Sequence, residues 1–304
     1  MGKTILVLGD SIIDRDIYCE SIGLSLETPT LKTKMINETY SFGGAANVVN
    51  NLLSLGCKVY FSTAFADDYS SQIACDWNDP NLSLNIFRYN GQSVVKNRYW
   101  IERNDIIYKY LQVNQGTPIT TSAEEIYTSV VTNIDVWEPD IVLLIDYRNG
   151  LFKNREHVKK IINYSQERGA LVVSSSQTSS NGDNYSLFHG SDLICMNHHE
   201  ATSHMPSFKP DSEGMKALSA FMGSSVCVTL GSDGSVLYDN GRFYKCRSAQ
   251  VEVVDTCGAG DAFLAALITQ YERKNLEFCN RWAALATTKK GVHVPDIKEL
   301  NAFN

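Results

Sequence analysis

The segment Val253-Val254-Asp255-Thr256-Cys257-Gly258-Ala259-Gly260-Asp261-Ala262-Phe263 sets two glycines and an acid directly before a long apolar run. Gly258 and Gly260 let successive backbone N–H groups turn toward one point, and a helix starting near Gly260 adds the positive end of its dipole. Gly258, Ala259 and Gly260 thus make an anion hole suited to a migrating phosphoryl group, whose charge fixed donors stabilise without reorganisation. Asp261, at the helix start, is placed to take the proton of an attacking hydroxyl. A plainer reading fits the same residues: a tight turn followed by a helix-capping acid. The segment is neither a GxxxxGK[ST] loop nor a dinucleotide fingerprint.

Such a segment needs a sheet to hold it. Short aliphatic or β-branched runs alternate with longer helical patterns, the way a parallel sheet covered on both faces is written in sequence. Ile5–Leu8, Val59–Phe61, Ile141–Ile145, Leu171–Val173, Leu193–Cys195 and Val226–Thr229 are the predicted strands. Ala45–Leu55, Ala123–Val136, His157–Arg168, Ser212–Met222 and Gly260–Tyr271 are the predicted helices. This alternation predicts an α/β fold, a doubly wound and mostly parallel sheet flanked by helices. Two stretches break the rhythm. Residues of about 15–42 lack helical periodicity, and 94–111 read as a hairpin with its turn at Glu102–Asp105. Strands inserted into a βα series predict a small β-sheet lid. No linker, repeat or low-complexity tract divides the chain, so residues 1–304 read as a single domain carrying that lid.

Hydrophobic residues make up 43% of the chain and charged residues 20%, an ordinary globular mixture. A formal charge of −7 offers no basic footprint for nucleic acid, and an anionic substrate would need a local basic pocket. No run approaches the roughly 20 apolar residues of a membrane span, and the apolar part of MGKTILVLGD is too short for a signal peptide. A cytoplasmic location, with neither membrane nor nucleic acid as partner, is expected. The eight cysteines lack a CxxC pair and read as reduced thiols. The cluster His198, His199, Glu200 and His204 lacks HExxH spacing and is not read as a transition-metal site.

A second motif, Ser41-Phe42-Gly43-Gly44-Ala45-Ala46-Asn47, lies near the N-terminus. Between and around the two come Leu8-Gly9-Asp10 with Asp14, Asp146 after a strand, Asn197-His198-His199-Glu200, and Thr229-Leu230-Gly231-Ser232-Asp233-Gly234. In this order the motifs resemble those of the ribokinase-like (PfkB) carbohydrate kinases over essentially the whole chain. The resemblance implies ATP as phosphoryl donor, Asp261 as base, and Asp14, Gly43, Gly44 and Asn47 as ligands of the acceptor's hydroxyls. Carboxylate and carboxamide groups satisfy hydroxyls, and a Gly-Gly pair lets a ligand approach the backbone, although close helix packing explains the pair equally well. Asn197 and Glu200 match the family's NxxE pair, implied to organise Mg2+, with Glu200 acting partly through water; a solvated loop acid is the plain reading. Thr229, Gly231 and Gly234 match a turn that the family places against the nucleotide, and a hairpin turn would use the same glycines. Asp255 resembles part of the monovalent-cation site of some relatives, which implies K+.

Within the family the chain is most similar to D-glycero-β-D-manno-heptose 7-phosphate kinases. Gly9-Asp10, Asp14-Arg15, Glu27-Thr28-Pro29, Lys96-Asn97-Arg98 and Asp146-Tyr147 with Gly150 carry that likeness. It implies a sugar-phosphate acceptor, with Arg15, Lys96, Arg98 and Asp146 joining the substrate-binding residues. Period two puts Lys96 and Arg98 on one strand face, a pair suited to phosphate; exposed lid strands also carry such residues to discourage edge pairing. Three departures stand out: Asp105–Tyr110 in the second lid strand, Ser174-Ser175-Ser176-Gln177 in place of Asp-Pro-Lys, and Arg281-Trp282-Ala283-Ala284 in place of an Asn-Ala-Ala-Ala run. The last predicts that Trp282 reshapes the adenine pocket. The alternatives are a kinase for another sugar, a sugar acid or a nucleoside, and a sugar- or nucleotide-binding regulator without catalysis. Exposed lid edges predict a homodimer.

Overall fold

The computed structural model describes residues 2–103, 106–178 and 184–303, and alternates strands with helices through most of that length. The strands are β1 (Thr4–Gly9), β2 (Ser11–Leu24), β3 (Leu31–Gly44), β4 (Lys58–Ala66), β5 (Leu82–Tyr89), β6 (Val95–Arg103), β7 (Ile106–Gln115), β8 (Ile141–Asp146), β9 (Leu171–Ser176), β10 (Leu193–Asn197), β11 (Ser225–Thr229), β12 (Ser235–Asp239) and β13 (Arg242–Cys246). The α-helices are α1 (Ala45–Ser54), α2 (Tyr69–Cys75), α3 (Ala123–Trp137), α4 (Arg155–Glu167), α5 (His198–His204), α6 (Ser212–Met222), α7 (Ala259–Gln270), α8 (Leu276–Ala286) and α9 (Ile297–Ala302).

Among the described residues the main sheet has the order β13-β12-β11-β10-β9-β8-β1-β4-β5. Neighbours from β5 across to β11 run parallel, and β12 and β13 close one edge antiparallel. Both sheet faces are covered, which is why β1 reads as an unbroken aliphatic run. Ile5 and Val7 pack with α1, α7 and α8 on one side, while Leu6 and Leu8 pack with α3 and α4 on the other. α7 is buried all along Ala262–Ile268 because it lies between the sheet, α1 and α8 rather than on the surface. The chain passes from β1 to β4 on one side of the sheet and later to β8 on the other. The carboxyl ends of β1 and β8 therefore flank the point where strand order reverses, the place where open α/β sheets bind ligands.

The lid is a second sheet with the order β3-β2-β6-β7. Residues 15–42, which lack helical periodicity, fall in two antiparallel strands of 14 residues each and the connection at 25–30, with irregularities at Tyr18/Cys19 and Ser21/Gly23. The expected hairpin is β6 and β7; of its expected turn, Asn104 and Asp105 lie outside the described residues.

Several boundaries differ from expectation for local reasons. α4 starts at Arg155, two residues early, because Asn154 caps it by accepting the His157 N–H at 3.1 Å. α7 starts at Ala259 because Gly258, in the left-handed region at φ 79°, is its N-cap. β5 and the β12–β13 hairpin were not expected, although Asn240-Gly241, both with positive φ, makes the tight turn that joins the latter. Among the described residues no helix is long and apolar enough to cross a membrane.

Candidate active site

Two helix N-termini meet at the carboxyl edge of the main sheet. Asn47, in the first turn of α1, donates from Nδ2 to Asp261 Oδ2 in the first turn of α7 at 2.8 Å. The Asn47 amide is itself oriented from behind. Trp282 Nε1 donates to Asn51 Oδ1 at 2.9 Å, and Asn51 Nδ2 donates to the Asn47 backbone carbonyl at 2.9 Å and to Asn47 Oδ1 at 3.3 Å. With its oxygen so engaged, Asn47 presents its nitrogen to Asp261. Trp282 is fully buried in the core beneath α1 and does not border the large cavity on the other side of α8. The expectation that it reshapes an adenine pocket is therefore corrected: its indole supports the acid from within.

Gly258 is required on two counts. Its φ of 79° is costly for any residue with a Cβ, and a Cβ there would lie 2.7 Å from Asn47 Nδ2. At Gly43 an added Cβ would lie 2.4 Å from Asp14 Oδ2. The Gly43 backbone thus packs directly on the Asp14 carboxylate, and Gly44 is the N-cap of α1.

Asp14 is buried on β2, in register with Lys96 on β6. Arg98, two residues on, is also buried and forms ion pairs with Asp14 at 2.8 Å and Asp16 at 3.9 Å. Lys96 and Arg98 share a face as the period demands, but the Arg98 charge is largely spent on the two aspartates. Its Nε and Nη1 have no hydrogen-bond partner among the described residues. Lys96 Nζ lies 5.9 Å from the centroid of the Tyr147 ring, and its charge favours the ionised forms of both Asp14 and Asp261. Arg15, on the alternate face, is held by Glu38 at 2.5 Å and is not brought to this cluster.

Burial pushes the Asp261 carboxyl up to about 6, against the opposing hydrogen bonds from Tyr147 and Asn47. The Tyr147 hydroxyl donates to Asp261 Oδ1 at 2.5 Å. Tyr147 leads the turn after β8, and Asp10 holds that turn by accepting the backbone N–H of Tyr147 at 2.9 Å and of Asn149 at 3.1 Å. Burial, with Asp146 nearby, pushes the Asp10 carboxyl up to about 8. Asp146 is buried as well and accepts from Ser176 Oγ at 2.8 Å and Asn184 Nδ2 at 2.9 Å. Sequence reasoning assigned no role to Tyr147 or Asp10. A turn folded over a carboxylate far away in the chain has no periodic signature; the Leu8-Gly9-Asp10 and Asp146-Tyr147 motifs mark the two segments without showing that they meet Asp261.

Asn197 and Glu200 form a capping box on α5: Asn197 Oδ1 accepts the Glu200 N–H at 2.9 Å, and Glu200 Oε2 accepts the Asn197 N–H at 2.7 Å. The Tyr185 hydroxyl also donates to Glu200 Oε2, at 2.9 Å, and burial raises the Glu200 carboxyl. Glu200, Asn197, Thr229, Gly258, Gly260 and Asp261 border a polar cavity of about 220 Å3. A larger cavity of about 930 Å3 adjoins it, sharing Asn197, Thr229 and Gly260 and extending over Gly231, Gly234 and Ala283. The shapes suit a nucleotide whose base and sugar take the larger space and whose phosphates reach the smaller one. A carboxylate facing the phosphate end is a donor type that Mg2+ accepts, with water completing its shell. Asp255, next in sequence to Thr256 of the larger cavity, accepts the Cys257 N–H at Oδ1 (3.0 Å) and the Gly291 N–H at Oδ2 (3.1 Å).

The family model described as "pfkB family carbohydrate kinase" matches residues 3–299. The chain belongs to the pfkB family. It is an ATP-dependent carbohydrate kinase, as the motifs implied. Like other pfkB kinases it has the ribokinase fold. It superposes on ribokinase from Thermotoga maritima with a TM-score of 0.73 at 19% identity, covering 99% of each chain. Its TM-score to phosphofructokinase-2 from Escherichia coli in complex with potassium is 0.77 at 15% identity, covering 99% of this chain and 98% of the other. In sequence it is 28% identical over 312 residues to the bifunctional protein HldE of Helicobacter pylori (strain HPAG1). That match takes in 98% of this chain but 65% of the relative's length.

Proposed function

We propose that this pfkB kinase phosphorylates a hydroxyl of a sugar phosphate, namely D-glycero-β-D-manno-heptose 7-phosphate, giving the 1,7-bisphosphate in nucleotide-heptose biosynthesis. The observation that carries the phosphorylated acceptor is Lys96, a cation on the lid face shared with Asp14, within electrostatic reach of Asp261 and not ion-paired among the described residues. Asn47, Asp14 and the Gly43 backbone offer a carboxamide, a carboxylate and a peptide to the sugar's hydroxyls. Asp261 takes the proton of the attacking hydroxyl, and the N–H groups at Gly258–Gly260 receive the charge of the phosphoryl group. Mg2+ at Glu200 would neutralise phosphate charge as it builds. K+ near Asp255 accords with the potassium in the phosphofructokinase-2 neighbour. Work in the cytoplasm as a homodimer belongs to the same reading.

The test is an acceptor panel assayed for ADP release, run on wild type and Lys96→Met. At pH 8, where Asp261 is ionised with or without Lys96, a charge-assisted contact to phosphate makes the KM for the sugar phosphate rise about tenfold or more in the variant, with the KM for unphosphorylated sugars unaffected. Equal losses for both classes, or a wild-type preference for unphosphorylated sugars, would remove the phosphate from the proposal.

A further inference from the structure

The Tyr147 hydroxyl donates to Asp261 Oδ1, the oxygen that Asn47 does not engage. The aim of that phenol is heavily restrained. Asp10 clamps the backbone on both sides of Arg148, and Asp146 accepts the Arg148 N–H at 2.8 Å. Arg148 itself sits at φ 64°, a conformation that persists in a residue with a Cβ only where the surroundings over-determine it. Tyr147 and Asp261 both border the small cavity that also holds Gly258 and Gly260. An acceptor hydroxyl ready for transfer must donate to Asp261 at this cavity, and the phenol already donates there.

We propose that the Tyr147 hydroxyl holds the acceptor hydroxyl's place on Asp261 until the sugar arrives, keeping water off the base and so preventing ATP hydrolysis in its absence. Tyr147 is then a positioning residue acting through Asp261, and the inference rests on Asp261 being the base. Water is the competing nucleophile at any phosphoryl-transfer site. In the reaction suppressed, a water oxygen bonds to the γ-phosphorus, the bond from that phosphorus to the ADP oxygen breaks, and the water's proton passes to Asp261. A phenol is a suitable guard because burial and the adjacent Asp261 raise it well above its usual range, so its proton stays in place.

Tyr147→Phe keeps the ring beneath Lys96 and removes the donor. Loss of one charge-assisted hydrogen bond should raise acceptor-free ADP release about tenfold. The acid limb of kcat/KM for sugar phosphorylation should also move to higher pH, because the lost bond favoured the ionised carboxylate. Acceptor-free release unchanged or reduced, with the acid limb in place, overturns the inference. If Tyr147→Phe does not fold, 3-fluorotyrosine at position 147 provides a second reading: a more acidic phenol donates more strongly and moves the limb to lower pH, and an unmoved limb overturns the idea. Asp261→Asn assayed in parallel separates the two questions. Retained sugar phosphorylation there refutes Asp261 as base, whereas an inactive Asp261→Asn beside an unaltered Tyr147→Phe refutes the guard alone.

Discussion

Replacing Asp261 by Asn removes the proposed base and a buried charge together, and the two consequences run in opposite directions. Positioned general bases contribute about 10²–10⁴-fold, so kcat should fall by that order. Stability follows from the carboxyl's rise from 3.8 to about 6. A folded-state value above the unfolded one means that the folded protein holds the proton more tightly. Wild-type stability therefore declines as pH climbs from about 4 to about 6 and stays lower above that. A difference of about two pH units is worth about 3 kcal/mol. Asn carries no charge to bury, but it meets the Asn47 and Tyr147 donors less well, which returns about 1 kcal/mol. At pH 8 the variant should thus be about 2 kcal/mol more stable than wild type, about 3 °C in Tm for a chain of this size. At pH 4 that advantage should be gone. Titrating groups without a direct interaction with Asp261, Asp10 included, cancel in the comparison. Thermal unfolding at the two pH values, with turnover measured on the same samples, decides it: a variant equally destabilised at both refutes the burial argument, and one with near-wild-type turnover refutes the base.

Further outcomes follow from the same geometry. For wild type, kcat/KM should fall about tenfold per pH unit below about pH 6, since the protonated Asp261 cannot accept a proton; a flat profile down to pH 5 contradicts this. Gly258→Ala forces a Cβ onto Asn47 Nδ2 at a positive φ, and should cost about 1–3 kcal/mol and at least tenfold in kcat, read by denaturant unfolding and initial rates. β7 is exposed along its length and carries Ile107, Tyr110, Leu111 and Val113, so the protein should sediment as a dimer at micromolar concentration and Leu111→Lys should weaken it. A wild type that sediments only as monomer removes that idea.

The central strands could be read from sequence because β1 and β8 are covered on both faces, and uninterrupted aliphatic runs are the direct result. The turn that starts α7 could be read because its two glycines and its acid fall within four successive residues. What binds that acid could not: Asn47 is 214 residues away in sequence and Tyr147 114, and the contacts arise only when α1 and the β8 turn are folded against α7. Trp282 was visible as a departure but misread, since an indole on a helix gives no sign of whether it faces a cavity or the core. The Asn197–Glu200 pair shows the converse. Its spacing of three is a capping signature as well as a family motif, and the structure has the capping bonds in full. The Asn240-Gly241 turn carried a strong hairpin signal, but its short, partly polar flanking strands lack the aliphatic character of the inner sheet.

A crystal structure with a non-hydrolysable ATP analogue and the heptose 7-phosphate bears most directly on the chemistry proposed for Asp261. The anomeric hydroxyl should lie within about 3 Å of an Asp261 oxygen, facing the terminal phosphate, with Lys96 turned toward the 7-phosphate. A sugar bound with every hydroxyl out of reach of Asp261, or with its phosphate directed away from Lys96, contradicts it.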